Sequence, residues 1–147
     1  MEENVLKSLN KELEGVIMGV NEVIKLKDKA KDCKIKELLD NTLKISEKNR
    51  VVLTEEIEYI GGIPTNDEGM WGKIIEVFNS MMEMKIDTDK EVLQQAIKGT
   101  EMGFKAILDF LIKEENLREE FKKKLIELSD EYTKNIKDMQ EYLITLN

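Results

Sequence analysis

Five glutamates are the residues of this sequence with the clearest potential for chemistry: Glu14, Glu47, Glu56, Glu101 and Glu131. They lie in stretches whose apolar residues recur at three- and four-residue steps, which is the helical period. Helical bundles that bind two metal ions place a Glu on each of two helices and a Glu-x-x-His on each of the other two. The carboxylates balance the metal charge and the imidazoles complete the coordination. Carboxylate metal binding, with the oxidoreductase chemistry that it supports, is therefore the first possibility to consider.

The imidazoles that such a centre needs are absent, because the 147-residue chain contains no histidine. Three residues after Glu47 and Glu131, where they would stand, the chain has Arg50 and Lys134. The positively charged side chains of these residues cannot ligate a cation. The lack of histidine also excludes a Ser-His-Asp triad and His-ligated zinc. We therefore expect no cofactor and no enzymatic activity.

The helical positions of the glutamates also argue against a shared metal site. Glu14 and Glu47 lie roughly 120° and 140° from the centres of their apolar stripes, so both should face solvent. Glu101 and Glu131 lie at the flank of theirs. Only Glu56 falls well inside a stripe, and one carboxylate does not form a metal cage. If the metal-binding alternative holds, these five residues are its candidate ligands.

Apolar periodicity predicts four long helices and no sheet. A second helix from about Asp32 to Ile60 ends at Gly61-Gly62, which supplies a left-handed cap, with Pro64 beyond it to prevent continuation. Thr88 or Asp89 is the expected N-cap of the third helix. The four predicted helices cover about 5–29, 32–60, 88–112 and 117–143.

The lengths of the connections predict how the helices are arranged. Short links join the first helix to the second and the third to the fourth, so each pair should be antiparallel. The middle connection, about 62–88, is long enough to travel the length of a bundle, and Met70–Ile86 within it is amphipathic. The expected fold is all-α: a ferritin-like four-helix bundle with a long crossover that contains a short helix. A chain of this length indicates one domain, residues 1–147.

Three sequence features, taken in order, carry a family resemblance. They are Glu14-Gly15, then Ile60-Gly61-Gly62-Ile63-Pro64 followed by Trp71, and then Lys98-Gly99-Thr100-Glu101. With these features the chain resembles a bacterial ferritin-like family of unknown function that has Gly-Gly-x-Pro after its second helix. The resemblance extends from about Leu9 to Leu143. It implies a ferritin-like four-helix bundle and no established activity.

Four polar residues lie within the predicted apolar stripes: Thr42, Ser46 and Asn49 on the second helix and Thr100 on the third. Buried hydroxyls and amides need hydrogen-bond partners. One interpretation is that they bond to each other or to backbone carbonyls and fix the register of the helices, as a buried Asn does in coiled coils. The other is that they line a small polar cavity for a ligand or an ion.

Charge and cysteine content restrict the partners and the compartment. The chain has 31 acidic and 23 basic residues and a net charge of −8, which disfavours binding to nucleic acid. No run approaches the ~18 apolar residues of a membrane span, and the N-terminus lacks the pattern of a signal peptide. Cys33 is the only cysteine and cannot form a disulfide within the chain, which favours a reducing compartment. We expect a cytoplasmic protein.

The crossover is the segment most suggestive of an interaction. One face of the amphipathic stretch carries Trp71, Ile74, Phe78, Met81 and Met82. This face either covers the side of the bundle or binds another protein, because Met and Trp are favoured at adaptable interfaces. Two hypotheses follow. The first is a non-enzymatic bundle with a structural or interaction role, a homo-oligomer with a dimer favoured. The second is a degenerate metal-binding or oxidoreductase protein.

Overall fold

The computed structural model describes residues 2–67 and 86–146, with side chains described from residue 4 onwards. Within these ranges the secondary structure is helical, with no strand. The helices are α1 (Glu2–Lys29), α2 (Cys33–Tyr59), α3 (Asp89–Lys113) and α4 (Glu119–Ile144). The four predicted helices are therefore confirmed. The short crossover helix and the face formed by Trp71, Ile74, Phe78, Met81 and Met82 lie outside the described residues.

The four helices pack as a bundle in which each helix has two close neighbours. α1 packs against α2 and α3, and α4 packs against the same two helices, while α2 and α3 touch only weakly across the diagonal. At one end, Asp89 at the start of α3 lies beside Lys31 and Asp32 in the α1–α2 turn. At the other end, Arg118 before α4 contacts Glu56 near the end of α2. Neighbouring helices are thus antiparallel, and α2 ends at the opposite end of the bundle from the start of α3.

Local sequence explains where the helices begin and end. Asp32 caps α2 by accepting hydrogen bonds from the backbone N–H groups of Lys34 and Ile35 at 2.7 and 3.3 Å. The Thr88 hydroxyl accepts from the N–H of Glu91 at 3.1 Å and so caps α3, as predicted. At the end of α2, Gly61 has φ 85°.

The C-terminal cap of α2 follows from the left-handed conformation of Gly61. The N–H of Gly62 donates to the Ile57 carbonyl at 2.8 Å, and the N–H of Gly61 donates to the Glu58 carbonyl at 3.0 Å. These two bonds define a Schellman motif. The chain then turns toward α1, where the Asn10 amide donates to the Ile63 carbonyl and accepts from the Thr65 N–H.

Two apolar clusters form the core, one in each half of the bundle. The cluster nearer the Glu56 end includes Leu13, Ile57, Phe110 and Phe121, whose two rings meet edge to face with centroids 6.2 Å apart. The cluster nearer the Asp32 end contains residues of all four helices, among them Val23, Leu26, Ile35, Leu39, Val92, Leu93 and Met139. The buried polar residues Thr42, Thr100 and Asn135 fall between the two clusters along their helices.

The start of α4 differs from the prediction. The sequence pattern assigns Leu117 to the fourth helix, but α4 begins at Glu119 with Arg118 at its N-cap position. Leu117 is nevertheless buried in the core cluster, so it anchors the loop between α3 and α4. The prediction included Leu117 because a buried apolar residue in a loop next to a helix cannot be told from a helical one by its spacing.

Candidate functional site

A buried line of polar side chains connects α2 and α4 in the middle of the bundle. The Thr42 hydroxyl donates to Asn135 Oδ1 at 2.5 Å, and Asn135 Nδ2 donates to the Leu38 carbonyl at 3.3 Å. One turn further along α2, the Ser46 hydroxyl lies 3.1 Å from the Tyr132 hydroxyl. These residues are at most 6% exposed. They form what we call the polar interface: Thr42, Ser46, Asn49, Tyr132 and Asn135.

Asn49 is the member of the polar interface that is only half satisfied. Its Nδ2 donates to the Tyr132 hydroxyl at 3.4 Å, whereas its Oδ1 is buried without a hydrogen-bond partner. A buried carbonyl oxygen in this state carries an unrecovered desolvation cost. Burial raises the pKa of the Tyr132 phenol, although the hydrogen bonds with Ser46 and Asn49 act in the opposite direction. The phenol therefore stays neutral.

Helical spacing explains why these residues meet. Ser46 and Asn49 are three apart on α2, and Tyr132 and Asn135 are three apart on α4, so each pair occupies one helical face. The sequence analysis identified the α2 residues but not their partners Tyr132 and Asn135 on α4. The available signal was the spacing of Tyr132, Asn135 and Met139. They are three and four residues apart, so Asn135 lies on the same face of α4 as its apolar residues.

Thr100, the fourth polar residue predicted to be buried, is 4% exposed. Its hydroxyl donates to the Ala96 carbonyl of its own helix at 2.7 Å. The Leu38 carbonyl of the same helix as Thr42 lies 3.2 Å from the Thr42 hydroxyl and shares that hydroxyl's single proton with Asn135 Oδ1. Thr42 and Ser46 thus bond across to α4, whereas the Thr100 bond stays within its own helix and cannot fix register between helices.

The structure does not bring the five candidate glutamates together. Glu47 and Glu101 are exposed, and Glu14 is half-buried although the helical wheel predicts that it faces solvent. Glu131 forms an ion pair with Lys48 at 2.7 Å. Glu56 is 4% exposed, as its position inside the stripe predicts. Within residues 2–67 and 86–146, no three His, Cys, Asp or Glu side chains lie close enough together to hold a metal ion.

The buried carboxylate of Glu56 is already bound by an arginine. Arg118 Nε lies 3.1 and 3.2 Å from the two carboxylate oxygens, and Nη2 lies 2.5 Å from Oε1. The guanidinium also covers the ring of Tyr59, 3.5 Å from its centroid. The hydrogen bond to Glu56 is the main cause that raises the pKa of Arg118. A carboxylate held in this way is occupied as a hydrogen-bond acceptor and is poorly suited to bind a metal.

Glu12, which the sequence analysis did not single out, is an acidic residue with a raised pKa. It is half-buried on α1. Burial raises its pKa to about 7; nearby Asp109 also raises it, while Lys11 and Lys113 lower it. Its position three residues after Leu9 and four before Val16, at the edge of the α1 stripe, was the signal available in the sequence.

A surface groove runs along the outside of α2 and α4. It has a volume of about 1170 Å³, and its lining includes Ile45, Val52 and Leu128 together with charged residues of both helices. Val51 in this groove is 52% exposed, a large value for an apolar side chain. We call this feature the α2/α4 groove.

The described part of the molecule therefore defines a class of protein: an all-α bundle of ferritin-like fold. A solved structure with the same fold is the two-domain protein containing DJ-1/ThiJ/PfpI-like and ferritin-like domains from Anabaena variabilis ATCC 29413. The TM-score is 0.64 at 13% sequence identity, and the similarity covers 99% of this chain but only 36% of that one. The chain thus spans about a third of the length of that protein. At this identity the similarity shows the fold alone.

The family is given by the sequence match. Residues 4–113 match the family described as Domain of unknown function (DUF2383), and the chain belongs to that family. The match ends where α3 ends, so α4, which supplies Tyr132 and Asn135, lies beyond the matched residues. No curated protein matches this chain. Among the described residues, no helix is both long enough and apolar enough to cross a membrane.

Proposed function

We propose that this protein is a non-enzymatic ferritin-like bundle of the cytoplasm that acts through protein–protein interaction, in the first instance with another copy of itself. The observation that supports the non-enzymatic part of the proposal is the polar interface. In the middle of the bundle, where a carboxylate metal centre would need charged ligands, α2 and α4 present neutral side chains bonded to one another. Of the candidate ligands, the buried one, Glu56, is bound by Arg118.

The alternative is a degenerate carboxylate metal-binding or oxidoreductase protein. Metal analysis separates the two: the purified protein is loaded with iron(II) or manganese(II), dialysed and analysed for bound metal, and its melting curve is recorded with and without metal. We expect less than one retained ion per chain and an unchanged melting temperature. Stoichiometric retention with a raised melting temperature would overturn the non-enzymatic proposal.

Matched variants would locate a metal if one were retained. Glu131→Gln removes a candidate ligand on α4, and Glu37→Gln removes an exposed carboxylate of α2 that was never a candidate. Retention lost in the Glu131 variant but kept in the Glu37 variant would assign the ion to the proposed alternative site. Equal loss in both variants would indicate non-specific surface binding and would support the non-enzymatic proposal.

Self-association is tested by light scattering and by fluorescence. Trp71 is the only tryptophan of the chain and belongs to the proposed interaction face with Ile74, Phe78, Met81 and Met82. If that face is buried on association, Trp71 emission shifts to shorter wavelength as protein concentration rises, together with the increase in mass. A protein that remains a monomer at high concentration would contradict the interaction with a second copy.

The cytoplasmic location is tested by cell fractionation. The exposed thiol of Cys33 gives an independent readout, because a reducing compartment keeps it free for labelling at the moment of lysis. We expect the protein in the soluble fraction with Cys33 labelled. Recovery with membranes, or a blocked thiol, would contradict the proposed location.

A further inference from the structure

The α2/α4 groove combines exposed apolar surface with an almost balanced set of charges. Its lining contains five acidic residues and four lysines, in a chain whose net charge is −8. Like charges repel, so two copies of an acidic chain repel each other least where the facing charges nearly cancel. At this groove the net repulsion is small. The exposed Val51 and the partly exposed Leu43 and Val52 supply apolar area that association would remove from water.

The order of charges along the groove is set by the antiparallel pairing of its two helices. Thr42 lies level with Asn135, and Lys48 lies level with Glu131. By the same register, Asp40 lies level with Asp138, and Lys44 lies level with Lys134. The groove therefore carries an acidic layer near the start of α2 and a basic layer one turn further along.

On α4, the other half of the groove carries charges of opposite sign at similar distances from the Lys48–Glu131 level, whereas α2 contributes the apolar Val51 and Val52 there. Beyond the Lys48–Glu131 pair come Glu127 and then Lys124 along α4. Glu131 lies midway between Lys124 and Asp138, which are separated by about 21 Å along the helix axis. A two-fold rotation about an axis through the Lys48–Glu131 level would bring Lys124 opposite Asp138 of a second copy and Glu127 opposite its Lys134.

We propose that the α2/α4 groove is the surface through which two copies of this chain form a symmetric dimer. This inference rests on the self-association put forward under Proposed function and assigns a surface to it that is made of other residues than the proposed face of Trp71. A two-fold dimer uses the same patch on both subunits, so a patch whose two halves are complementary in charge suits it. Each Lys124–Asp138 contact would occur twice.

Charge-reversal variants test the proposal because they can be mixed. Lys124→Glu alone places two acidic pairs in the dimer, and Asp138→Lys alone places two lysine pairs in it. Each is expected to weaken association at least about tenfold, since facing like charges are strongly unfavourable at an interface. A mixture of the two variants restores both contacts in a heterodimer. The double variant Lys124→Glu/Asp138→Lys restores both contacts in a homodimer.

Two controls separate an effect on the fold from an effect of charge at the groove. Among residues 2–67 and 86–146, Lys124 and Asp138 form ion pairs with exposed neighbours, Glu120 at 3.7 Å and Lys134 at 2.9 Å, so each variant should keep its helical circular dichroism. Lys105→Glu makes the same change in charge as Lys124→Glu at an exposed position of α3, outside the groove. This control is expected to associate like the wild type.

The measurement is sedimentation equilibrium of the wild type, the variants and the mixture. Twice the 17.1 kDa mass for the wild type, weakened association for each single variant and recovery in the mixture are the expected results. If the wild type dimerises and Lys124→Glu dimerises equally well, or if the mixture does not recover, the groove is not the interface, although self-association stands. If the wild type is a monomer throughout, self-association itself fails.

Discussion

Arg118 holds the carboxylate of Glu56 from the loop before α4, with Nη2 2.5 Å from Oε1. The two residues are 62 positions apart in the sequence, and the crossover and α3 lie between them. Glu56 is buried while the Arg118 side chain is 38% exposed, so solvent reaches the guanidinium but not the carboxylate. The pair closes the end of the bundle at which α2 ends and α4 begins.

Replacing Arg118 alone should lower the free energy of unfolding more than replacing both Arg118 and Glu56. Arg118→Leu leaves a buried carboxylate without a partner, which is costly, whereas Glu56→Leu/Arg118→Leu replaces the pair by apolar groups. We expect the unfolding midpoint in urea to fall most in the single variant and to recover in the double one. The control is Arg50→Leu, which changes the other arginine of the chain, at the molecular surface. A double variant less stable than Arg118→Leu would contradict this account.

The polar interface predicts unequal effects from two similar substitutions. Thr42→Val removes the hydroxyl that donates to Asn135 Oδ1 and leaves that buried acceptor unpaired, so we expect a loss of about 1–3 kcal/mol in the free energy of unfolding. Asn49→Leu removes an amide whose oxygen has no partner and whose nitrogen makes one long bond. We expect this variant to be neutral or more stable. Urea unfolding of both variants measures the difference.

The variant Tyr132→Phe provides a second test of the hydrogen bonds in the polar interface. The Tyr132 hydroxyl contacts both Ser46 and Asn49, so its removal affects two polar groups of α2 at once. Tyr132→Phe should therefore be destabilising in the wild type and less so in the Asn49→Leu background, where one of those groups is already gone. Additive effects of the two substitutions would show that the polar interface does not act as a unit.

The sequence predicted the helices well because their ends carry local signals. Thr88 with Glu91 three residues later and Gly61 after an apolar run are signals of the local chain, and the structure uses both. The burial of Glu56 was likewise evident from helical period alone. Its partner was not, because Arg118 lies in a loop and reaches Glu56 only once α2 and α4 are antiparallel. Contacts between distant segments depend on register, which periodicity does not specify.

Replacement of glycine by alanine should change the free energy of unfolding in opposite directions at Gly61 and Gly15. Gly61 has φ 85°, a conformation that costs an L-residue about 1 kcal/mol or more, so Gly61→Ala should destabilise by about that amount. Gly15 lies within α1 with open space where a Cβ would be. Gly15→Ala should therefore stabilise by about 0.5–1 kcal/mol, because alanine is the better helix former. Thermal unfolding of the two variants measures both signs, and a shared sign would contradict the assignment.

Glu12 should make the stability of the protein depend on pH. Its pKa is raised from 4.5 to about 7 in the folded state, so the folded protein binds this proton more tightly than the unfolded chain does. Below about pH 4, Glu12 is protonated in both the folded and the unfolded state, so it does not lower the free energy of unfolding. As pH rises to about 7, the unfolded state loses the proton first and stability falls; above that pH the penalty is constant.

Replacing Glu12 by glutamine removes this titration while keeping the size of the side chain. We expect Glu12→Gln to match the wild type near pH 4 and to be more stable near pH 8 by up to about 3 kcal/mol. Urea unfolding at the two pH values measures the difference, and the NMR titration of the Glu12 side-chain carboxyl carbon measures its pKa directly. A gain of the same size at both pH values would show that glutamine acts through packing, because a raised pKa requires the gain to appear only as the solution becomes neutral.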